Sequence, residues 1–196
     1  MGCFEFVPSS IPDVVEIIPK VFSDRRGFFT EIWNKIDFRD AGLDVSFIQD
    51  NHSQSTKGVL RGLHYQTQHS QGKLVRVICG EIFDVAVDLR QWSNTFGQWV
   101  GKVLSAENRC MLWIPQGFAH GFYVMSESAE FIYKCTDYYA PEYEVTLRWN
   151  DPTLDIAWPL VRDCQPILSQ KDANSMLFSD APKYMRSNKP FDVSHR

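Results

Sequence analysis

The stretch EIFDVAVDL, residues 81–89, decides the fold class of this 196-residue chain. Its odd-numbered positions from 83 to 89 are all apolar, and the even-numbered positions from 84 to 88 carry two aspartates and an alanine. A period of two places each set on one face of an extended segment and predicts a β-strand. The preceding run KLVRVIC, residues 73–79, alternates in the same way, and Gly80 between the two runs predicts a hairpin.

Similar β-like runs extend outward from this stretch in both directions. Turn signals such as Pro115-Gln116-Gly117 separate them at short intervals, and helical patterns are limited to residues 35–41 and short turns after Ser169. Many short strands with few helices predict an all-β fold, a barrel or sandwich of the jelly-roll type. The runs are 14–18, 28–33, 45–51, 58–65, 98–104, 111–114, 120–125 and 131–139.

The length and mass, 196 residues and 22.7 kDa, predict a single jelly-roll domain over residues 1–196. Within it we expect N-terminal strands over about residues 1–45 and a C-terminal extension over about residues 160–196. The last dozen residues, from Tyr184 on, are polar, and we expect them to extend over the surface.

Charge and composition exclude several classes of function. Twenty Lys and Arg against 24 Asp and Glu give a net charge of −4, without a basic cluster, so we expect neither nucleic-acid nor membrane binding. No apolar stretch is long enough to span a bilayer, and the N-terminus lacks the pattern of a secretory signal. The five cysteines are odd in number and contain no C-x-x-C pair, which favours free thiols and a cytoplasmic location.

Ionisable and polar residues concentrate in three segments, 49–66, 114–123 and 131–144, with Lys73 and residues 169–172 in addition. The second contains Pro115-x-Gly117-x-x-His120, in which a tight turn precedes a His that can point into a small β-barrel. Metal-binding cupins use such a His with an earlier H-x-H pair, but here the pair is replaced by His64-Tyr65-Gln66.

Two histidines are too few for a transition metal, which takes about three or four protein ligands. His52 and His69 do not stand at the expected spacing to complete the set. The sequence therefore predicts a metal-free pocket in which His64 and His120 act in acid–base chemistry or hydrogen bonding. Each His or Tyr could instead be a hydrogen-bonded core residue, and Lys73 or Lys171 a solvated surface charge.

Eight segments of the chain recur together in one known family. They are SDRRGFF (23–29), QDN (49–51), GVLRGLHYQ (58–66), DVAVDLR (84–90), IPQGFAHGF (114–122), YKCTDYY (133–139), WNDP (149–152) and LSQKD (168–172). In their order and spacing, from about residue 14 to residue 172, they resemble the dTDP-4-dehydrorhamnose 3,5-epimerase family. A single P-x-G-x-x-H pattern is weak, whereas eight ordered segments are specific.

The resemblance implies a homodimeric cupin-type jelly roll that needs neither metal nor cofactor and acts on a dTDP-linked 4-keto-6-deoxyhexose. It implies His64 as general base, Asp172 as its carboxylate partner, Tyr133 as general acid and Lys73 beside the keto oxygen. It also implies substrate contacts for a larger set, with the arginines and Lys171 as candidates for the nucleotide or diphosphate. That set is Arg26, Glu31, Gln49, Asn51, Arg61, His120, Tyr139, Glu144 and Lys171.

These residue types suit epimerisation beside a ketone. Removing a proton from C3 or C5 gives an enolate, which a base on one face and a donor on the other can invert. A His has a suitable pKa, a carboxylate fixes its tautomer, and an ammonium stabilises the enolate oxygen. However, Arg61 and His64 stand three residues apart and would face opposite sides of a regular strand. Both can serve one site if Gly62 marks a bulge, or if the site draws on both faces through the dimer.

Three alternatives remain at this point. A sister enzyme of the same fold could epimerise only C3 or only C5 of a related sugar nucleotide. The chain could also be a non-catalytic cupin-type sugar-binding or structural protein. A metal-dependent oxygenase or isomerase is the third.

Overall fold

The computed structural model describes residues 2–160 and 165–186, and within them it is built mainly from β-strands. Two antiparallel sheets pack face to face, and a separate hairpin and short helical segments complete the fold. The prediction of an all-β jelly roll with a few short helices is confirmed.

The six-stranded sheet has the spatial order β1 (Phe4–Pro8), β2 (Val15–Pro19), β10 (Met111–Ile114), β7 (Lys73–Cys79), β12 (Ser128–Cys135) and β5 (Gln49–Thr56). The five-stranded sheet has the order β13 (Glu144–Thr146), β6 (Leu60–Gln66), β11 (Phe118–Val124), β8 (Glu81–Asp88) and β9 (Trp99–Ser105). The separate hairpin consists of β3 (Val21–Asp24) and β4 (Gly27–Thr30). The helical segments are α1 (Lys35–Asp40), a 3₁₀ turn (Pro141–Tyr143) and α2 (Gln170–Ala173).

From β5 to β13 the chain crosses between the sheets at every connection except the one from β8 to β9. The predicted hairpin at Gly80 is therefore wrong, because β7 and β8 lie in different sheets. Gly80 instead turns the chain from one sheet to the other at φ +75°, where a Cβ would collide with the Ser128 carbonyl. A glycine satisfies a hairpin and a sheet crossing equally well, which is why the sequence did not distinguish them.

One apolar cluster fills the space between the sheets, and its side chains come from both of them. Val75, Leu112 and Phe131 enter from the six-stranded sheet, and Ile82 and Phe122 from the five-stranded sheet. This packing fixes the distance between the sheets.

Two further clusters cover the outer faces of the sheets. Phe38 of α1 packs with Ile17 and Met111 on the six-stranded sheet. On the other side, Phe178 packs with Val85 and neighbouring residues of β8. Both faces of β8 are therefore buried, so the period of two is confirmed while its aspartates point away from solvent.

Strand boundaries differ from the prediction in several places. β5 covers residues 49–56 rather than 45–51, and β12 ends at Cys135 rather than residue 139. The sequence reading missed β1, β3 and β13. These are short, and β1 and β13 lie at sheet edges, where only one neighbouring strand contributes to the pattern.

Tyr184 does not lie on the surface as expected. It is buried, its ring packs edge-on against Tyr65, and its hydroxyl donates to the carbonyl of Gln66. Met185, the next residue of that segment, is exposed as expected, and residues 187–196 lie outside the described part of the chain.

Four cysteines, at positions 3, 79, 110 and 135, are unpaired thiols, and Cys164 falls outside the described residues. Among those residues, no helix has the length and apolarity needed to cross a bilayer.

Candidate active site

A bulge in β6 brings Arg61 and His64 to the same side of the sheet. His64 pairs with His120 of β11, but Arg61 pairs with Phe122, so β6 contains one residue more than its partner over this interval. Gly62 lies in the bulge at φ +107°, and a Cβ there would come within 2.6 Å of the His120 carbonyl oxygen. A bulge at Gly62, one of the two explanations that the sequence left open, is therefore present.

The half-buried His64 is hydrogen bonded to a carboxylate from the far end of the described chain. Its Nε2 lies 2.6 Å from Oδ1 of Asp172, which also accepts the backbone N–H of Gly62 at 3.3 Å. The other oxygen, Oδ2, accepts the Ser169 hydroxyl at 2.7 Å, and Ser169 in turn caps α2 by accepting the Asp172 N–H. Three donors thus hold the Asp172 carboxylate in one orientation.

The electrostatics of this pair follow from its burial. Burial lowers the pKa of His64 below its ordinary value; Asp172 acts against that decrease, whereas Lys171 and Lys73 add to it. For Asp172, burial acts to raise the pKa, but the hydrogen bonds from His64 and Ser169 outweigh it and hold that pKa below its usual value. The pair therefore favours an ionised carboxylate beside a neutral imidazole at neutral pH.

A second imidazole–carboxylate pair lies on the neighbouring strands. His120 stands opposite His64, and its Nε2 is 2.8 Å from Oδ2 of Asp84 on β8. Both members of this pair are buried, and the His120 ring stacks on Phe131.

Tyr133 and Lys73 enter the same pocket from the opposite sheet. Phe131, Tyr133 and Cys135 share the inner face of β12, as the sequence predicted. Burial raises the pKa of Tyr133 to about 12, so its hydroxyl stays protonated at neutral pH. The ammonium of Lys73 lies 6.0 Å from the centroid of the Tyr133 ring, and burial lowers its pKa.

Hydrogen-bonded polar groups form the rim of the pocket. The Tyr139 hydroxyl donates to Oε2 of Glu144 at 2.7 Å, and the Lys171 ammonium lies 2.8 Å from the same oxygen. Gln49 accepts the Tyr139 N–H at 2.9 Å and donates to Asn51 at 3.0 Å. Asn51 stands opposite Tyr133 across the β5–β12 ladder, so this network joins the rim to the barrel interior.

Gln66, which stands where metal-binding cupins have a His, forms three hydrogen bonds to the backbone of residues at the rim of the pocket. Its amide donates to the carbonyls of His69 and Tyr138, at 2.7 and 3.2 Å, and accepts the Ala140 N–H at 2.9 Å. Within the described residues, His64 and His120 do not belong to any group of three ligand-capable side chains with atoms within 4.8 Å. Such a group is formed instead by Cys3, Glu31 and Asp37, near the N-terminus.

The structure therefore brings most of the predicted site residues together. A pocket of about 80 Å³ is lined by His64, Lys73, Tyr133, Tyr139 and Glu144 among others. The other predicted residues that lie at or beside it are Asp172, His120, Lys171, Gln49, Asn51 and Arg61.

Two predicted residues lie neither in this pocket nor beside it. Arg26 lies on the β3–β4 hairpin, its side chain is 86% exposed, and its guanidinium bonds to Asp24 at 2.6 Å. Glu31 follows the hairpin and lies beside Cys3 and Asp37.

Sequence reasoning missed Asp84 and Ser169 as members of this network. Asp84 alternates with apolar residues in β8, a pattern that usually indicates an acidic side chain facing solvent. Here the outer face of the sheet is buried by the apolar residues of β8, so Asp84 on the other face does not face solvent. Ser169 precedes Asp172 by three residues at the start of a helix, a capping spacing that could have identified it.

Comparisons with known proteins agree with one another. The model of the family described as dTDP-4-dehydrorhamnose 3,5-epimerase matches residues 8–180. The protein of that name from Pseudomonas aeruginosa is 61% identical over 173 residues, which cover 88% of this chain and 94% of the relative.

Solved structures give the same result. The dTDP-6-deoxy-D-glucose-3,5-epimerase from Legionella pneumophila, in complex with dTDP-4-keto-L-rhamnose, aligns with a TM-score of 0.88 and 51% identity. The alignment covers 92% of this chain and 98% of that one. A 3'-monoepimerase from Streptomyces bikiniensis, in complex with dTDP-quinovose, aligns at 34% identity and a TM-score of 0.81, over 88% and 87% of the two chains.

Proposed function

This chain belongs to the dTDP-4-dehydrorhamnose 3,5-epimerase family, and from that premise we propose which of its residues carry the reaction. It is an isomerase that inverts C3 and C5 of dTDP-4-dehydro-6-deoxy-D-glucose and gives dTDP-4-dehydro-L-rhamnose. The observation that carries the residue assignment is the His64–Asp172 pair, which reaches the same small pocket as Tyr133 and Lys73.

His64 acts as the general base. The ionised Asp172 accepts a hydrogen bond from Nε2–H, which leaves Nδ1 as the unprotonated nitrogen of the imidazole. A proton leaves C3 or C5 for this nitrogen, and the electrons of the broken C–H bond move into the carbonyl to form an enolate. The Asp172 carboxylate stabilises the imidazolium that results.

Lys73 and Tyr133 complete the cycle. The Lys73 ammonium stabilises the negative charge on the enolate oxygen, a contribution typically worth a few kcal/mol for such a fixed group. The Tyr133 hydroxyl then donates its proton to the opposite face of the carbon, which inverts the stereocentre. Proton exchange with solvent returns the imidazole and the phenol to their starting states.

The rim residues bind the nucleotide part of the substrate. Arg61, whose guanidinium donates to the Ser55 hydroxyl at 3.0 Å, and Lys171 supply positive charge at the pocket. A net-acidic protein needs such local charge to hold a diphosphate, and arginine suits it because its planar fork binds phosphate in a bidentate manner. Tyr139, Glu144, Gln49 and Asn51 provide the remaining polar contacts of the rim, and His120 provides one from the barrel interior.

Incubation with dTDP-4-dehydro-6-deoxy-D-glucose in deuterated water tests the reaction directly. We expect NMR to show deuterium at both C3 and C5, and a coupled reductase to draw off the inverted product. Label at one carbon only would identify a monoepimerase, and label at neither would contradict the epimerase assignment.

Two controls separate the remaining alternatives. His64→Ala should lower turnover by about 10²-fold or more while dTDP binding is retained, because general-base catalysis contributes at least that much. A sugar-binding protein would have no turnover to lose. Full activity after treatment with a chelator, with elemental analysis of the treated protein, separates this mechanism from metal-dependent isomerisation.

We also propose that the enzyme is a homodimer in which each hairpin completes the partner's site. The β3–β4 hairpin pairs with no other strand of the described chain, and it exposes Phe22, Phe28 and Phe29 by 46, 56 and 66%. Exposed aromatic groups of this size are typical of interfaces. A partner's hairpin would supply Arg26, which does not line the pocket of its own chain.

A cytoplasmic location is the final part of the proposal. The unpaired thiols support it, because cysteines stay reduced in that compartment. Cell fractionation with a tagged chain tests this assignment, and recovery from an extracytoplasmic fraction would contradict it.

A further inference from the structure

The Asp84 carboxylate is buried, and within the described residues only one of its two oxygens has a hydrogen-bond partner. Oδ2 is 2.8 Å from Nε2 of His120, whereas Oδ1 is inaccessible to solvent and has no hydrogen-bond donor in the part of the chain that the structure describes. Unpaired buried carboxylate oxygens are costly and rare, so the interior of the barrel must compensate this charge in another way.

The cation that stands opposite Asp84 does not supply that compensation. Lys102 is the register partner of Asp84 on β9, but its ammonium lies 2.7 Å from the carboxylate of Glu16. The positively charged groups that act on Asp84 are instead His120 and Lys73. Within the described residues the Lys73 ammonium forms neither a hydrogen bond nor an ion pair, although it interacts electrostatically with Asp84.

We propose that Asp84 is a positioning residue for the epimerisation, which orients His120 through one carboxylate oxygen and keeps the Lys73 ammonium protonated through the charge of the other. The inference rests on the proposed function, in which that ammonium stabilises the enolate.

Two further acidic groups act on Lys73, and burial raises the pKa of Asp84 itself, against the effect of His120 and Lys73. Burial lowers the pKa of Lys73, and electrostatic interactions with Cys135, Glu144 and Asp84 oppose the decrease. Burial also raises the pKa of the Cys135 thiol, which is therefore uncharged at neutral pH, and Glu144 is already paired with Lys171. The other titratable groups that face the same space are His64, His120, Tyr133 and Lys171.

The direction of the expected pH effect follows from the sign of the Asp84 charge. Loss of a negative charge lowers the pKa of a neighbouring ammonium, so Lys73 would lose its proton at a lower pH. Without that proton it no longer stabilises the enolate, and the decline of kcat at high pH would begin earlier.

Competitive labelling of Lys73 with acetic anhydride, followed by peptide mass spectrometry across pH, measures its pKa in the ligand-free protein. In Asp84→Asn we expect that pKa to fall by about one unit or more relative to the wild type. We expect kcat at pH 8 to fall about tenfold, with KM changed by less than about threefold. Asp84→Glu, which restores the charge, should return the labelling curve towards that of the wild type.

Asp88→Asn is the matched control, because Asp88 is equally buried on the same strand but bonds to Arg90 and Thr95 instead. It should lower the melting temperature without moving the Lys73 labelling curve. A merely structural role for Asp84 would give that same result in Asp84→Asn and would overturn the inference.

The wild-type protein provides a test even if Asp84→Asn does not fold. A Lys73 that is already unprotonated at pH 7 would overturn the inference, because there would be no ammonium for Asp84 to maintain. Deuterium at C3 and C5 in the wild-type reaction would leave the proposed function intact in either case.

Discussion

At the scale of single residues, the His64–Asp172 hydrogen bond of 2.6 Å determines which nitrogen of the imidazole can act as a base. The Asp172 carboxylate accepts hydrogen bonds from His64, Ser169 and the Gly62 backbone, so it can hold the ring in one tautomer.

Asp172→Asn should make His64 a weaker base and change its pKa. Asp172 raises the pKa of His64 against the effect of burial, so its loss lowers that pKa further. A base is active above its own pKa. The acid limb of the pH profile of kcat/KM should therefore shift to lower pH, while kcat falls by about 10²-fold. Steady-state kinetics from pH 5 to 9 measure both effects, and an acid limb that moves to higher pH would contradict the assignment.

Tyr133→Phe should separate proton removal from inversion. The variant keeps His64, so protons at C3 and C5 should still exchange, but it lacks the hydroxyl that donates from the other face. We expect deuterium to enter the recovered substrate while the rate of inversion falls by about 10²-fold. NMR of substrate and product in deuterated water measures both rates.

Tyr138→Phe is the control for this experiment, because Tyr138 is 64% exposed and does not line the pocket. The Tyr138→Phe variant should exchange the protons at C3 and C5 and invert both carbons at rates near those of the wild type. Normal inversion by Tyr133→Phe would show that another group is the acid.

At the scale of secondary-structure elements, the bulge in β6 places the side chains of His64 and Arg61 on the same side of the sheet. The backbone at Gly62 also donates to Asp172, so a change of path there would displace both members of the pair.

Gly62→Ala should therefore affect both stability and activity. The new Cβ would lie 2.6 Å from the His120 carbonyl oxygen at a φ of +107°, which strains the backbone and forces β6 away from β11. We expect a loss of about 2 kcal/mol or more in the free energy of unfolding. We also expect a lower kcat per folded site, and thermal melts and active-site titration measure the two effects.

Gly58→Ala isolates the contribution of backbone strain. Gly58 also has a positive φ, +81°, but a Cβ there would meet no atom within 4 Å. It should cost about 1 kcal/mol of stability and leave kcat unchanged. Equal kinetic defects in the two variants would show that the close approach at Gly62 does not position the site.

The alternation of apolar and polar residues predicted many of the strands, because it is present wherever one face of a strand packs against a core. It failed at Gly80, where the residue type does not record which sheet the chain enters next. It also failed to identify Asp84, because β8 is buried on both faces and the usual link between polarity and exposure does not hold there. The bulge at Gly62 was one of two explanations that the sequence left open for how Arg61 and His64 could serve one site.

At the scale of the whole molecule, Arg26 lies away from the pocket of its own chain, and we propose that a partner's hairpin supplies it. The same separation could not be predicted from the sequence, because motif order does not say which copy of the chain supplies a residue. The predicted boundaries of the N-terminal strands and the C-terminal extension stay predictions.

Mixing two defective variants tests the shared site. In a heterodimer of His64→Ala and Arg26→Ala, one of the two sites would receive His64 from one chain and Arg26 from the other. Random exchange should therefore recover about a quarter of the wild-type activity, since half of the dimers are mixed.

The matched control is a mixture of His64→Ala and Tyr133→Phe. Both residues line the pocket of one chain, so no mixed site is complete and no activity should return. Absence of recovery in the first mixture, or a monomer by light scattering at micromolar concentration, would contradict the shared site.

The base and its carboxylate are separated by 108 positions along the chain, and Asp172 lies on a helix close to the C-terminal end of the described residues. A translation product that stops before that helix would carry the imidazole without its partner. The ribosome must therefore translate as far as residue 172 before the proposed base can pair with its carboxylate, and chains terminated before that helix would be inert towards the sugar nucleotide.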